Sequence, residues 1–148
     1  MSKLINKEII EFLKQLLLKS EIRILIIEDS PVSKDNLEMV FEEAFPNSTT
    51  YCFEGFGVDQ HDIEFLIKSK YDIVSVDGSL GKWEDHPVFG TNGANLVEFI
   101  KKETPETLVI SISLEDWRNA LALKKGANLA VNKSKLHEFL GEMKELRD

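Results

Sequence analysis

The chain has 148 residues, 43% of them apolar and 30% charged, a length and balance that fit one soluble domain with a real core and exclude a disordered or membrane-embedded chain. Acids outnumber bases 26 to 18, for a formal net charge of −8, so no basic face is available for nucleic-acid phosphates. Cys52 is the single cysteine and cannot form an internal disulfide, and no signal peptide or membrane-length apolar run is visible, which points to a reducing cytoplasm.

The first periodic segment, Lys3 to Lys19, places Ile5, Ile9, Phe12, Leu13, Leu16 and Leu17 on one helix face with Lys and Glu opposite. Leu4, Ile10 and Leu18 widen that stripe, so the helix either docks on the domain behind it or pairs with a copy in another chain as a homodimer; docking is the preferred reading. Residues 1–20 are therefore read as an N-terminal amphipathic helix and residues 21–148 as the main domain.

Ile22 to Ile27 is a short aliphatic run of the kind buried on both faces of a parallel sheet, and it stops at Glu28 and Asp29. Two carboxylates are thus delivered to the carboxyl edge of the sheet, where open α/β folds place their sites. A purely structural alternative is that they open a loop and cap the helix beginning near Pro31. Ser33 to Phe45 has helical spacing, with Leu37, Val40, Phe41 and Ala44 as its apolar positions, and Thr49 to Phe53 has strand composition. A short helix is expected over Asp62 to Lys70. Tyr71 to Asp77 then repeats the opening device, a buried strand terminated by an acid.

Leu80 to Thr91 has no period and is read as a long loop beside the acids, with Trp83 and Phe89 arguing for partial packing. Gly93 to Lys102 is the next helix, and Thr107 to Ser113 is another buried strand, ending in a hydroxyl. A helix over Leu114 to Lys125 is expected to turn Trp117, Ala120, Leu121 and Leu123 inward and to close at Gly126. Asn128 to Asn132 is the last strand, with Lys133 at its end, and Ser134 is the expected N-cap of the closing helix. Strict β-α alternation requires a parallel sheet with right-handed crossovers and helices on both faces.

The strand ends bring together Glu28, Asp29, Asp77, Ser113 and Lys133. Three crowded carboxylates repel unless a cation joins them, and a hard ion such as Mg²⁺, held by these acids, a backbone carbonyl (that of Ser79) and water, is the economical answer. Open positions on the ion would take phosphate oxygens, Lys133 and the Ser113 hydroxyl would bind others, and Asp77 is the candidate nucleophile. His61, His86 and His137 have no metal-ligand spacing, Cys52 is expected to be a small buried apolar residue, and Gly55-Phe56-Gly57 is too short for a dinucleotide loop.

From about Glu21 onward the chain resembles the receiver domains of two-component response regulators. Ile24 to Val32 looks like the family's first strand and acidic pair, and Tyr71 to Asp77 like its phosphoacceptor strand. Asn92-Gly93 is similar to the family's acid-Gly start of a helix, and Lys125-Gly126-Ala127 followed by Lys133 to its Gly-Ala and lysine. The resemblance implies a flavodoxin-like, doubly wound five-stranded sheet of order 2-1-3-4-5, with an extra N-terminal helix. It further implies Mg²⁺-dependent phosphorylation of Asp77 by a histidine kinase or histidine phosphotransfer protein, and output through a downstream protein partner. Counting forward from Gly93 selects Ser113 as the family's hydroxyl, counting back from Gly126 selects Ser111; Ser113 is preferred because Pro105 to Ser113 reproduces the family's strand without a gap. Ser134 replaces the usual proline, and Ala130 stands where a switch Tyr or Phe is common. The expectation is a stand-alone, non-enzymatic cytoplasmic phosphoacceptor, with two alternatives: a pseudo-receiver that binds partners without phosphorylation, and a phosphohydrolase. The latter is weakened because Ser79 is not the second acid such enzymes use.

Overall fold

The β-α alternation closes into a five-stranded, all-parallel sheet in the order β2-β1-β3-β4-β5, in a computed structural model that describes residues 4–53, 68–80 and 92–148. The strands are β1 (Ile22–Ile27), β2 (Ser48–Phe53), β3 (Ile73–Asp77), β4 (Leu108–Ser113) and β5 (Leu129–Asn132). Among the described residues the complete helices are α1 (Lys7–Leu17), α2 (Pro31–Ala44), α3 (Gly93–Glu103), α4 (Asp116–Lys124) and α5 (Leu136–Arg147), the last preceded by a 3₁₀ turn at Lys133–Lys135. The predicted helix over Asp62–Lys70 and the loop Leu80–Thr91, with Trp83, Phe89, His61 and His86, fall on residues that lie outside the described set except at their ends.

Side chains alternate across each strand, so a run apolar at every position fills two cores at once. Ile22, Ile24, Ile26, Ile110 and Ile112 pack with Leu37, Val40 and Phe41 of α2 and Phe139 and Met143 of α5. Leu25, Ile27, Val74, Val76 and Val109 pack on the opposite face with Leu96, Val97 and Ile100 of α3 and Ala122 of α4. The central strands β3 and β4 are buried at every residue, and this rigid centre is what holds the carboxyl edge in place.

Helix α1 docks on its own domain. Ile5, Ile9, Leu13 and Leu16 are buried in the same cluster as α2 and α5, and the Leu4 and Ile5 N–H groups donate to the Glu142 carboxylate of α5, each at 3.1 Å. Asn6 caps the helix, its Oδ1 accepting from the Ile9 N–H at 3.0 Å. Among the described residues no helix is long and apolar enough to cross a membrane.

Three sequence expectations are corrected. Helix α4 does not turn Trp117, Ala120 and Leu123 inward: Asn119 and Ala122 are its buried residues, and Trp117 is 55% exposed. The reason is polar, since Ser111 Oγ donates to Asn119 Oδ1 at 2.8 Å and Asn119 Nδ2 donates to the Ser113 carbonyl at 3.3 Å. Two buried polar groups are satisfied only in that orientation. Ser134 is not the cap of the closing helix; Asn132 Oδ1 accepts from the Ser134 N–H at 3.0 Å and starts the 3₁₀ turn instead. Cys52 is half-buried rather than fully apolar in its setting, its thiol 3.3 Å from Glu38 Oε1, and burial with that neighbouring carboxylate pushes its pKa up to about 12, which leaves an unreactive thiol.

Candidate functional site: an acidic cluster with one lysine at the carboxyl edge of the sheet

Register brings the predicted residues into one row. Ile27 pairs with Val76, so Glu28 comes beside Asp77; Asp77 pairs with Ile112, so Ser113 stands one step beyond; Ser113 pairs with Asn132, so Lys133 stands one step beyond again. The two strands that end in acids are thus neighbours, and the strand that ends in lysine lies two places away with a long side chain to cross the gap.

Glu28, Asp29 and Asp77 each offer an oxygen within 4.8 Å of the other two. Glu28 is fully buried and Asp77 nearly so. The Lys133 ammonium lies 3.1 Å from Glu28 Oε2 and 3.4 Å from Asp77 Oδ1, the first contact being an ion pair without hydrogen-bond alignment. Burial, then the Asp77 charge and hydrogen bond, push the Glu28 carboxyl up to about 8 against the opposing pull of Lys133. Burial also raises Asp77, while the Glu28 hydrogen bond, Lys133 and the Ser79 N–H pull it down. Both carboxyls are thus raised, Glu28 to about 8, so the metal-free cluster holds a proton on Glu28 at neutral pH.

Such a cluster can ionise fully only if a cation joins it, and its all-oxygen donor set suits a hard divalent ion rather than a soft one. Glu28, Asp29 and Asp77 fit Mg²⁺ on these grounds. Glu28 also shapes the following turn, its Oε1 accepting from the Ser30 N–H at 3.2 Å, whereas helix α2 begins at Ser30 and Pro31 without a side-chain cap. Of the purely structural alternative, the turn-opening part is therefore present and the helix cap is not, and neither accounts for the burial of the acid.

Two glycines are fixed by the site. A Cβ on Gly93 would sit 2.0 Å from the Asp77 carbonyl oxygen, so only glycine lets α3 start this close to the phosphoacceptor candidate. A Cβ on Gly78 would stand 2.7 Å from Ser113 Cβ and 3.0 Å from Arg118 Cβ. This contact also separates the two candidate hydroxyls: Ser113 stands against the residue after Asp77, with its Oγ accepting from the Glu115 N–H at 3.1 Å, whereas Ser111 is committed to Asn119. Ser79 meets the cluster through its N–H, which donates to Asp77 Oδ1 at 3.3 Å.

One neighbour escaped the sequence reading. Arg118 Nη1 donates to the Gly78 carbonyl at 3.0 Å, its Nε donates to Glu115 Oε1 at 2.9 Å, and its guanidinium lies 4.4 Å from the centre of the Trp117 ring. The Trp117 indole N–H donates to the other oxygen of Glu115 at 2.8 Å, and these two bonds hold the Glu115 carboxyl below its usual range. The only signal was the Glu115–Arg118 spacing on the first turn of a helix, which by itself reads as an ordinary surface pair.

No protein-family model matches the sequence, and no curated protein matches it. The structure matches solved receiver domains. The signal receiver domain of a DNA-binding response regulator from Colwellia psychrerythraea 34H has a TM-score of 0.62 at 23% identity, with 85% of this chain and 98% of that one covered. A response regulator from Thermotoga maritima has 0.60 at 20%, covering 85% and 97%, and a CheY-like receiver domain protein from Methanospirillum hungatei JF-1 has 0.57 at 19%, covering 85% and 98%. The chain has the receiver-domain fold.

Proposed function

We propose that this chain is a phosphoacceptor of a two-component phosphorelay in which Asp77 receives a phosphoryl group from a histidine kinase or histidine phosphotransfer protein, with Mg²⁺ held by Glu28, Asp29, Asp77 and the Ser79 carbonyl. The single observation that carries the reading is the placement of Asp77, buried at the sheet edge, between two further carboxylates and a lysine 3.4 Å away. An Asp77 carboxylate oxygen attacks phosphorus, the bond from phosphorus to the donor nitrogen breaks, and the electron pair leaves with the imidazole, which takes up a proton. The ion, when bound, neutralises charge on the transferred phosphoryl oxygens. Lys133 lies where it can pair with a phosphoryl oxygen, and the Ser113 hydroxyl, whose lone pair already accepts from Glu115, keeps its own hydrogen to donate to another. Output through a protein partner in the cytoplasm, rather than enzymatic turnover, completes the proposal.

A phosphorylation-independent binding module is the second reading, and the proton held on Glu28 favours it to the extent that the ion must displace that proton before binding. Intact-mass measurement after acetyl phosphate and Mg²⁺ decides between them: the gain of one phosphoryl group in the wild type, absent in Asp77→Asn, is expected, and an unmodified wild type establishes the second reading.

A further inference from the structure

The Gly78 carbonyl accepts twice, from the Gly93 N–H at 3.1 Å and from Arg118 Nη1 at 3.0 Å. Gly78 follows Asp77 directly and packs against both Ser113 and Arg118, so the peptide leaving the phosphoacceptor candidate is held from two sides. One of those holds leads to the surface. Arg118 is largely buried, with 17% of its side chain exposed, whereas Trp117 beside it is 55% exposed. Glu115 grips both, one oxygen on each, and the guanidinium stacks on the indole.

We infer that Arg118 is a positioning residue that couples occupancy of the acidic site to the placement of Trp117. This rests on the Mg²⁺ part of the function proposed above, and it concerns residues that lie outside the acid cluster. A cation held by the Asp77 carboxylate would act on the same group whose Oδ1 accepts from the Ser79 N–H, and so would bear on the Asp77–Gly78–Ser79 turn. The guanidinium is planar and rigid, so a shift of the Gly78 carbonyl turns the same plane that bonds Glu115 and stacks on Trp117. A lysine could keep one bond to Gly78 but could not keep the fork to Glu115 and the stack together. Ala130, small on the neighbouring strand β5, offers no ring for such a role; the exposed aromatic tied to the site stands at the start of α4 instead.

The test uses the full chain carrying Trp83→Phe, so that Trp117 is the only indole, titrated with MgCl₂ and then acetyl phosphate while emission and intact mass are followed. Coupling predicts an emission change on Mg²⁺ that Asp77→Asn abolishes. It also predicts that Arg118→Ala and Arg118→Lys both lose this change, with the Mg²⁺ midpoint, read by thermal shift, moving roughly fivefold or more because coupling is reciprocal. Glu115→Gln, which keeps the side-chain shape, should weaken the response in the same direction. An Mg²⁺ response without a mass gain upholds the coupling and removes the phosphoacceptor; a mass gain with silent emission, or an Arg118→Lys protein with a wild-type response and midpoint, overturns the coupling.

Discussion

The Lys133 ammonium stands 3.1 Å from Glu28 Oε2 and 3.4 Å from Asp77 Oδ1, so one cation serves two buried acids with a third acid beside them. The balance is met by a proton: burial and Asp77 raise the Glu28 carboxyl from an ordinary 4.5 to about 8. The metal-free protein is therefore predicted to lose stability as pH rises. Below about 4.5 Glu28 is protonated whether the chain is folded or not; between 4.5 and 8 only the folded state holds the proton, and the advantage is spent progressively through 8. Thermal or urea unfolding in EDTA should fall by roughly 1 kcal/mol per pH unit across that window, and Glu28→Gln should flatten the slope. A wild type and Glu28→Gln with parallel profiles would refute the raised Glu28 carboxyl.

Mg²⁺ should act in the opposite sense. A cation that binds only the deprotonated cluster competes with the Glu28 proton, so its stabilising effect should be larger at pH 8 than at pH 6 and should release a proton on binding. Calorimetric titration in buffers of different ionisation enthalpy measures that proton. Asp77→Asn, which removes a charge from the repelling set, should raise metal-free stability by on the order of 1 kcal/mol while weakening the response to Mg²⁺.

Lys133→Ala leaves the two buried acids without their counter-charge. At pH 8 a loss of about 3 kcal/mol is expected, because uncompensated buried charge remains, and at pH 5.5 less, because Glu28 is then protonated and needs no counter-charge. Equal losses at both pH values would mean that Lys133 stabilises by packing alone.

Gly93→Ala tests the geometry from the backbone side. With a Cβ facing the Asp77 carbonyl at 2.0 Å, the start of α3 must move away from β3, at a cost of about 1–3 kcal/mol in urea unfolding. Because the carbonyl that moves belongs to Asp77, Mg²⁺ stabilisation should weaken together with the fold. Gly141, whose Cβ would meet nothing within 4 Å, is the matched control, and Gly141→Ala should be neutral or slightly stabilising.

How much of this was legible in the sequence follows from which forces decide each feature. Apolar runs ending in Glu28-Asp29, Asp77 and Lys133 carry strand, burial and edge position together, because hydrophobic periodicity and the parallel register are sequence-local signals that agree. Helix α4 was turned the wrong way because its orientation is set by Asn119 bonding Ser111 and Ser113, and a hydrophobic count is blind to a polar residue that finds its partners eight and six positions away. Arg118 was missed for the same reason: its meaning lies in the Gly78 carbonyl, 40 residues earlier. The proton on Glu28 depends on three-dimensional burial, which no spacing rule states.

Helix α1 offers the last test, because the same apolar stripe could serve a monomer or a dimer and the observed packing is within one chain. Leu13 is fully buried among α1, α2 and α5 residues, so Leu13→Ala should cost about 2–5 kcal/mol of unfolding free energy at any protein concentration. Glu142→Gln, which keeps the shape but weakens acceptance from the Leu4 and Ile5 N–H groups, should cost about 1 kcal/mol and act first on the start of α1, read by faster amide exchange at residues 4–9. If α1 instead exchanged with a second copy, the midpoint of unfolding would rise with protein concentration and the Leu13→Ala penalty would grow with it, since association then contributes to stability. Light scattering of the full chain across the same concentrations is expected to give a monomer throughout, and a concentration-dependent mass would place the stripe at an interface between chains.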